Sequence, residues 1–103
     1  MKKANFNVSF IGTDKKPVTE IPGIDPPTMG NVLANIILGS RGRTDAVRMY
    51  NLAFNIANST KEMDFEDSDW TAIKTMIPKS SYATLITGQL LKVIEEAEKN
   101  VGK

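Results

Sequence analysis

Phe6, Val8 and Phe10 alternate with Asn5, Asn7 and Ser9, a period of two that predicts a half-buried strand. Gly12-Thr13-Asp14-Lys15-Lys16-Pro17 is turn chemistry, and Val18-Thr19-Glu20-Ile21 can return as a second strand. Together they predict an N-terminal β-hairpin over residues 1–21. A two-stranded hairpin is marginal alone, so its phenylalanine face needs helices to cover it. Pro22, Pro26 and Pro27 make 22–27 a stiff connector within the domain rather than a boundary between domains.

Beyond the connector the period lengthens to that of a helix. Met29, Val32, Leu33, Ile36 and Ile37 form one apolar stripe over 29–38, with Thr28 as N-cap and Gly39 as a left-handed residue past the end. A second helix over 45–58, capped by Thr44 or Asp45, is apolar nearly all round, Tyr50 and Phe54 included. Such a helix is expected to be the central and most buried element. On that reading Phe54→Ala costs ~3–5 kcal/mol. Asp67 or Ser68 caps a short third helix that turns Trp70, Ile73 and Ile77 inward and stops at Pro78. A last helix over 82–99, capped by Ser80 or Ser81, buries Tyr82, Leu85, Ile86, Gln89 or Leu90, Val93, Ile94 and Ala97. The expected fold class is α+β: one domain, 1–103, with the hairpin packed on a compact cluster of about four α-helices in the helical region 28–99.

The composition narrows function mainly by what is missing. There is no histidine and no cysteine in 103 residues. The common neutral-pH acid–base, the thiol nucleophile and the two commonest transition-metal ligands are therefore absent. Lys74, Lys79, Lys92, Ser80 and Ser81 have no diagnostic spacing for Ser–Lys chemistry. The chain is read as non-enzymatic, with no catalytic, cofactor-binding or metal-ligating residue assigned. No apolar run reaches the ~20 residues of a membrane span. Asn5, Asn7 and Ser9 interrupt what would be a signal-peptide core after Lys2-Lys3, so a cytoplasmic location is expected.

Net charge is only +1, but it is unevenly placed. Residues 1–43 carry +3, residues 44–70 carry −4 and residues 71–103 carry +2. In the acidic stretch, Asp64, Glu66, Asp67 and Asp69 lack the glycine and ligand alternation of a calcium loop, and helix capping explains them better. Phe65, Asp67, Asp69 and Trp70 are the candidate partner-binding face, with Trp70 as its anchor. The Gly39-Ser40-Arg41-Gly42-Arg43-Thr44 turn offers a second candidate. Arg41, Arg43 and Thr44 could hold phosphate at a helix start, with Lys2, Lys3, Lys15 and Lys16 extending the patch. The turn lacks the full phosphate-loop pattern, and two arginines fall well short of the 6–10 phosphate contacts of strong DNA binders.

Several strings resemble a group of small uncharacterised bacteriophage and prophage proteins of about this length. They are the Gly12–Pro17 turn, Met29-Gly30-Asn31-Val32-Leu33-Ala34-Asn35-Ile36-Ile37-Leu38, Thr44 through Phe54, the acidic stretch Asp64-Phe65-Glu66-Asp67-Ser68-Asp69, and Thr87-Gly88-Gln89-Leu90-Leu91. The resemblance spans roughly 5–97 and brings no functional residue with it. It implies a phage setting in which such proteins act as assembly chaperones, virion accessories or inhibitors of host factors. The expected function is a protein–protein interaction module with a protein partner, a homodimer among the candidates. A small nucleic-acid-binding regulator is the alternative. No cofactor and no membrane partner are expected.

Overall fold

The computed structural model describes residues 2–40 and 44–100 of the chain. Among these residues the order is β1 (Lys2–Ala4), α1 (Met29–Leu38), α2 (Ala46–Asn58), β2 (Met63–Phe65), α3 (Asp67–Lys79) and α4 (Thr84–Asn100). The fold is α+β, with a short antiparallel sheet and four helices sharing one apolar core.

The N-terminal hairpin closes tightly. The Gly12 N–H donates to the Lys16 carbonyl at 2.9 Å, and the Val18 N–H to the Phe10 carbonyl at 2.8 Å, with Ile11 opposite Pro17. The regular ladder lies elsewhere: β1 pairs with β2, placing Lys2 opposite Phe65, Lys3 opposite Asp64 and Ala4 opposite Met63. The segment with period two forms no strand, because its carbonyls are used differently. Those of Val8 and Phe6 accept from Met29 and Gly30 at 2.8 and 2.7 Å, while the Thr28 hydroxyl accepts from the Asn31 N–H. The first N–H groups of α1, which have no partner inside the helix, are thereby satisfied. A bend at Val8 turns its side chain outward, while Phe6 and Phe10 stay buried.

The connector is anchored rather than merely stiff. Pro22 and Gly23 occupy a turn closed by the Ile24 N–H on the Ile21 carbonyl at 3.0 Å. Gly23 has φ +78°, which suits glycine at the third position of a type II turn. Ile21 and Ile24, on either side, are both buried.

The central helix is α1, not α2. Seven of its ten residues are buried, from Met29 to Ile37. Gly30 lets this helix lie close to its neighbours, since a Cβ there would stand 3.2 Å from the Ile56 carbonyl oxygen and 3.3 Å from that of Phe6. α2 packs on α1 and buries Met49, Leu52, Ala53 and Ile56. Its remaining apolar residues face outward: Val47 is 76% exposed, Tyr50 53% and Phe54 48%. α1 takes the centre because its sequence has no charged residue and its apolar positions meet α2, α3 and the N-terminal segment together.

Other boundaries differ in detail. Gly39 closes α1 in a right-handed conformation, φ −85°, with its N–H on the Asn35 carbonyl. Glu66 precedes α3 as N-cap. Pro78 lies inside the last turn of α3, where a missing N–H removes a single helical bond. On α4 the inward stripe is Ile86, Leu90 and Ile94, and Leu85 is exposed. Gln89 ties this helix to the N-terminal loop: its amide accepts from the Ile11 N–H at 2.8 Å and donates to the Ile11 carbonyl at 2.7 Å.

Candidate functional site

The acidic stretch is matched residue by residue with cations. Lys2 faces Asp67 and Lys3 faces Asp64, each at 3.8 Å. Arg48 at the start of α2 reaches Asp69 at 2.6 Å and Glu66 at 3.7 Å, and also donates to the Ser68 hydroxyl. Carboxylates at the start of α3 also complement its dipole. Among the described residues no three acidic side chains gather closely enough to hold a metal ion.

The expected Trp70 face divides into a core half and a surface half. Phe65 and Trp70 are buried, 1% and 3% exposed. Phe65 stands between Phe6 and Trp70, with ring centroids 5.9 and 5.4 Å away. Neither ring is available as a partner anchor, which corrects the sequence expectation. The reason is β2: pairing with β1 places Phe65 against Phe6, and α3, starting directly afterwards, brings Trp70 onto the same core. Asp67 remains exposed, and Asp69 is half-buried against Arg48. The Trp70 indole N–H donates to Glu98 of α4 at 3.2 Å, and Lys74 donates to the same carboxylate at 2.7 Å. The Lys74 hydrogen bond, helped by that of Trp70 and opposed by burial, holds the Glu98 carboxyl below the usual glutamate range.

Of the phosphate candidates, Arg41 and Arg43 lie outside the described residues, and Thr44 is exposed. Lys2 and Lys3 each stand 3.8 Å from a carboxylate, those of Asp67 and Asp64.

An open cleft of about 550 Å³ lies between the C-terminal ends of α1 and α3. Among the described residues on its wall Lys79 is the one with a charged side chain, beside Ser40, Thr75, Ser80 and Tyr82. The Ser40 and Ser80 hydroxyls already donate to the Ile37 and Ile77 carbonyls. Burial raises the Tyr82 phenol above its ordinary value, so it stays protonated at neutral pH.

The outer face of α2 offers more. Val47, Tyr50, Phe54 and Ala57 are all exposed, at spacings of three, four and three. The Tyr50 and Phe54 rings pack on each other with centroids 4.8 Å apart. Beside them an open trough of about 560 Å³ runs between Val47, Asn51 and Asn55 of α2 and the Glu66 and Asp69 carboxylates. Sequence reasoning missed this face, yet a signal was present. Residues 49, 52, 53 and 56 already fill one helical face, so 47, 50, 54 and 57 form a second stripe.

No known protein family, curated protein or solved structure matches the chain. No helix of the described residues is long and apolar enough to cross a membrane.

Proposed function

We propose that this protein is a non-enzymatic interaction module whose α2 takes a partner helix on its outer face. The observation that carries this reading is the exposed seam of Val47, Tyr50, Phe54 and Ala57. Its three–four spacing is that of the a and d positions of a coiled coil. Arg48 is the one charged residue within α2, and its guanidinium is engaged by Asp69 and Glu66. A neutral apolar seam favours an equally neutral apolar helix over an acidic or basic one. Aromatic residues at the centre of such a face supply most of the contact energy. Within this reading, the resemblance to small phage and prophage proteins supports an assembly chaperone, a virion accessory or an inhibitor of a host factor.

The test is capture from an extract of the source cells, with and without nuclease. The Tyr50→Glu/Phe54→Glu variant should lose at least about 90% of a stoichiometric partner that survives nuclease, because two charges would be desolvated at the centre of the contact. An Arg41→Glu/Arg43→Glu variant should retain that partner. Capture that depends on these arginines and disappears with nuclease would replace this proposal with the nucleic-acid reading.

A further inference from the structure

Resting for its functional sense on the reading of α2 as a docking seam, we propose that Arg48 is the positioning residue of that seam. It latches the first half of α2 to the start of α3 and so fixes where Val47 and Tyr50 stand. Helix α2 is held unevenly along its length. Of residues 46–50 only Met49 is buried, whereas Leu52, Ala53 and Ile56 bury the second half. Nor does the start of α2 stabilise itself. Asp45 precedes it without a side-chain capping hydrogen bond, and its first turn holds no carboxylate. Arg48, the third residue of the helix, adds a positive charge at the positive end of the dipole.

What offsets that charge comes from α3. The Arg48 guanidinium lies on the trough beside Asn51 and Asn55, reaches Asp69 at 2.6 Å and donates to the Ser68 hydroxyl. Glu66 stands farther off at 3.7 Å with an exposed side chain, so its share is small. The Asp69 side chain is only 13% exposed, and a carboxylate so far withdrawn from water depends on the cation it meets. The dependence is mutual: Asp69 complements the start of α3, which carries it, and through Arg48 the start of α2 as well. Val47 comes one residue before Arg48 and Tyr50 two after it, so this half of the seam goes where the latch holds it.

Amide hydrogen exchange of the whole chain reads the latch without any partner. Arg48→Ala should speed exchange at Tyr50, Asn51 and Leu52 at least about tenfold more than at Leu33–Ile37 of α1. Asp69→Asn, which keeps the side chain's shape and carries the comparison if Arg48→Ala does not fold, should do the same. The two substitutions combined should add little beyond either alone, because each opens one latch. Arg48→Lys keeps the charge without the planar fork and should restore part of the protection. Unchanged exchange in α2, equal acceleration in α1 and α2, or additive effects of the two substitutions would overturn the latch. In the capture experiment, Arg48→Ala should lower the partner's yield several-fold and Arg48→Lys should recover part of it. Capture that needs Tyr50 and Phe54 but is indifferent to Arg48 would overturn the positioning role while the docking reading stands. Capture indifferent to Tyr50→Glu/Phe54→Glu would instead remove the docking reading, with the exchange result still deciding whether α2 is latched.

Discussion

Two phenylalanines that look alike in the sequence have opposite fates. Phe65 lies in a run of carboxylates and yet is 1% exposed, whereas Phe54 lies in the middle of an apolar helix and is 48% exposed. Their energetic consequences should separate accordingly. Phe65→Ala removes a ring packed between Phe6 and Trp70 and should cost about 3–5 kcal/mol in urea unfolding. Phe54→Ala removes a half-solvated ring and should cost at most about 1 kcal/mol in the monomer, well below the value expected for a buried position. A Phe54→Ala loss of ~3 kcal/mol or more would show that α2 is buried after all. Residue type was not the misleading signal in either case. Local hydrophobicity reports which side chains need cover, and it is silent on whether the cover comes from this chain.

At the scale of elements, the helices were largely legible: α1 occupies its predicted residues, and α2 and α4 begin within two of theirs. Thr28 caps α1 as its position suggested, and the periodic stripes of α1 and α3 are buried as expected, joined by Gly30 and Ala34 in α1 and by Met76 in α3. Strand partners were not legible. The ladder joins residues 2–4 to 63–65, more than half the chain apart, and three residues carry too short a pattern to announce themselves. The contact between α3 and α4 is a similar long-range product, tied at its edge by hydrogen bonds from the buried Trp70 indole and the exposed Lys74 to Glu98. The folded state holds the Glu98 carboxyl below its ordinary value, so its stabilising contribution is complete above the usual glutamate range. It is lost as the pH falls through the depressed value. Glu98→Gln should therefore lower the melting temperature at neutral pH, with the gap to the parent chain closing as the pH is taken below the carboxylate range. A gap independent of pH would mean that the charge on Glu98 contributes nothing to holding the two helices together.

For the whole molecule, the N-terminal arm is the piece that closes the structure. Its carbonyls cap α1, its first strand pairs with β2, and its loop is held to α4 by both ends of the Gln89 amide. Gln89→Ala should cost about 1–2 kcal/mol, two ordinary hydrogen bonds' worth, and should speed amide exchange at Ile11. Unchanged protection at Ile11 would show that the arm is held by its phenylalanines alone. Of the functional surfaces, the sequence pointed to aromatic and charged residues around 64–70, and the fold sends the rings inward and pairs several of the charges. Among the described residues, apolar side chains are left exposed at partner spacing on α2, where the sequence suggested a core. What the sequence determined by itself was local: where helices start, which positions of each seek burial, and the absence of histidine and cysteine chemistry. These follow from backbone propensity, periodicity and side-chain inventory, which need no knowledge of the rest of the chain. The tertiary structure alone decided which of two apolar helices became the centre, which distant segments paired, and which apolar stripe was left at the surface. Those outcomes depend on how a limited amount of apolar surface is shared among all the elements at once: α1, without a charge and met by several neighbours, took the interior, and the second stripe of α2 remained outside.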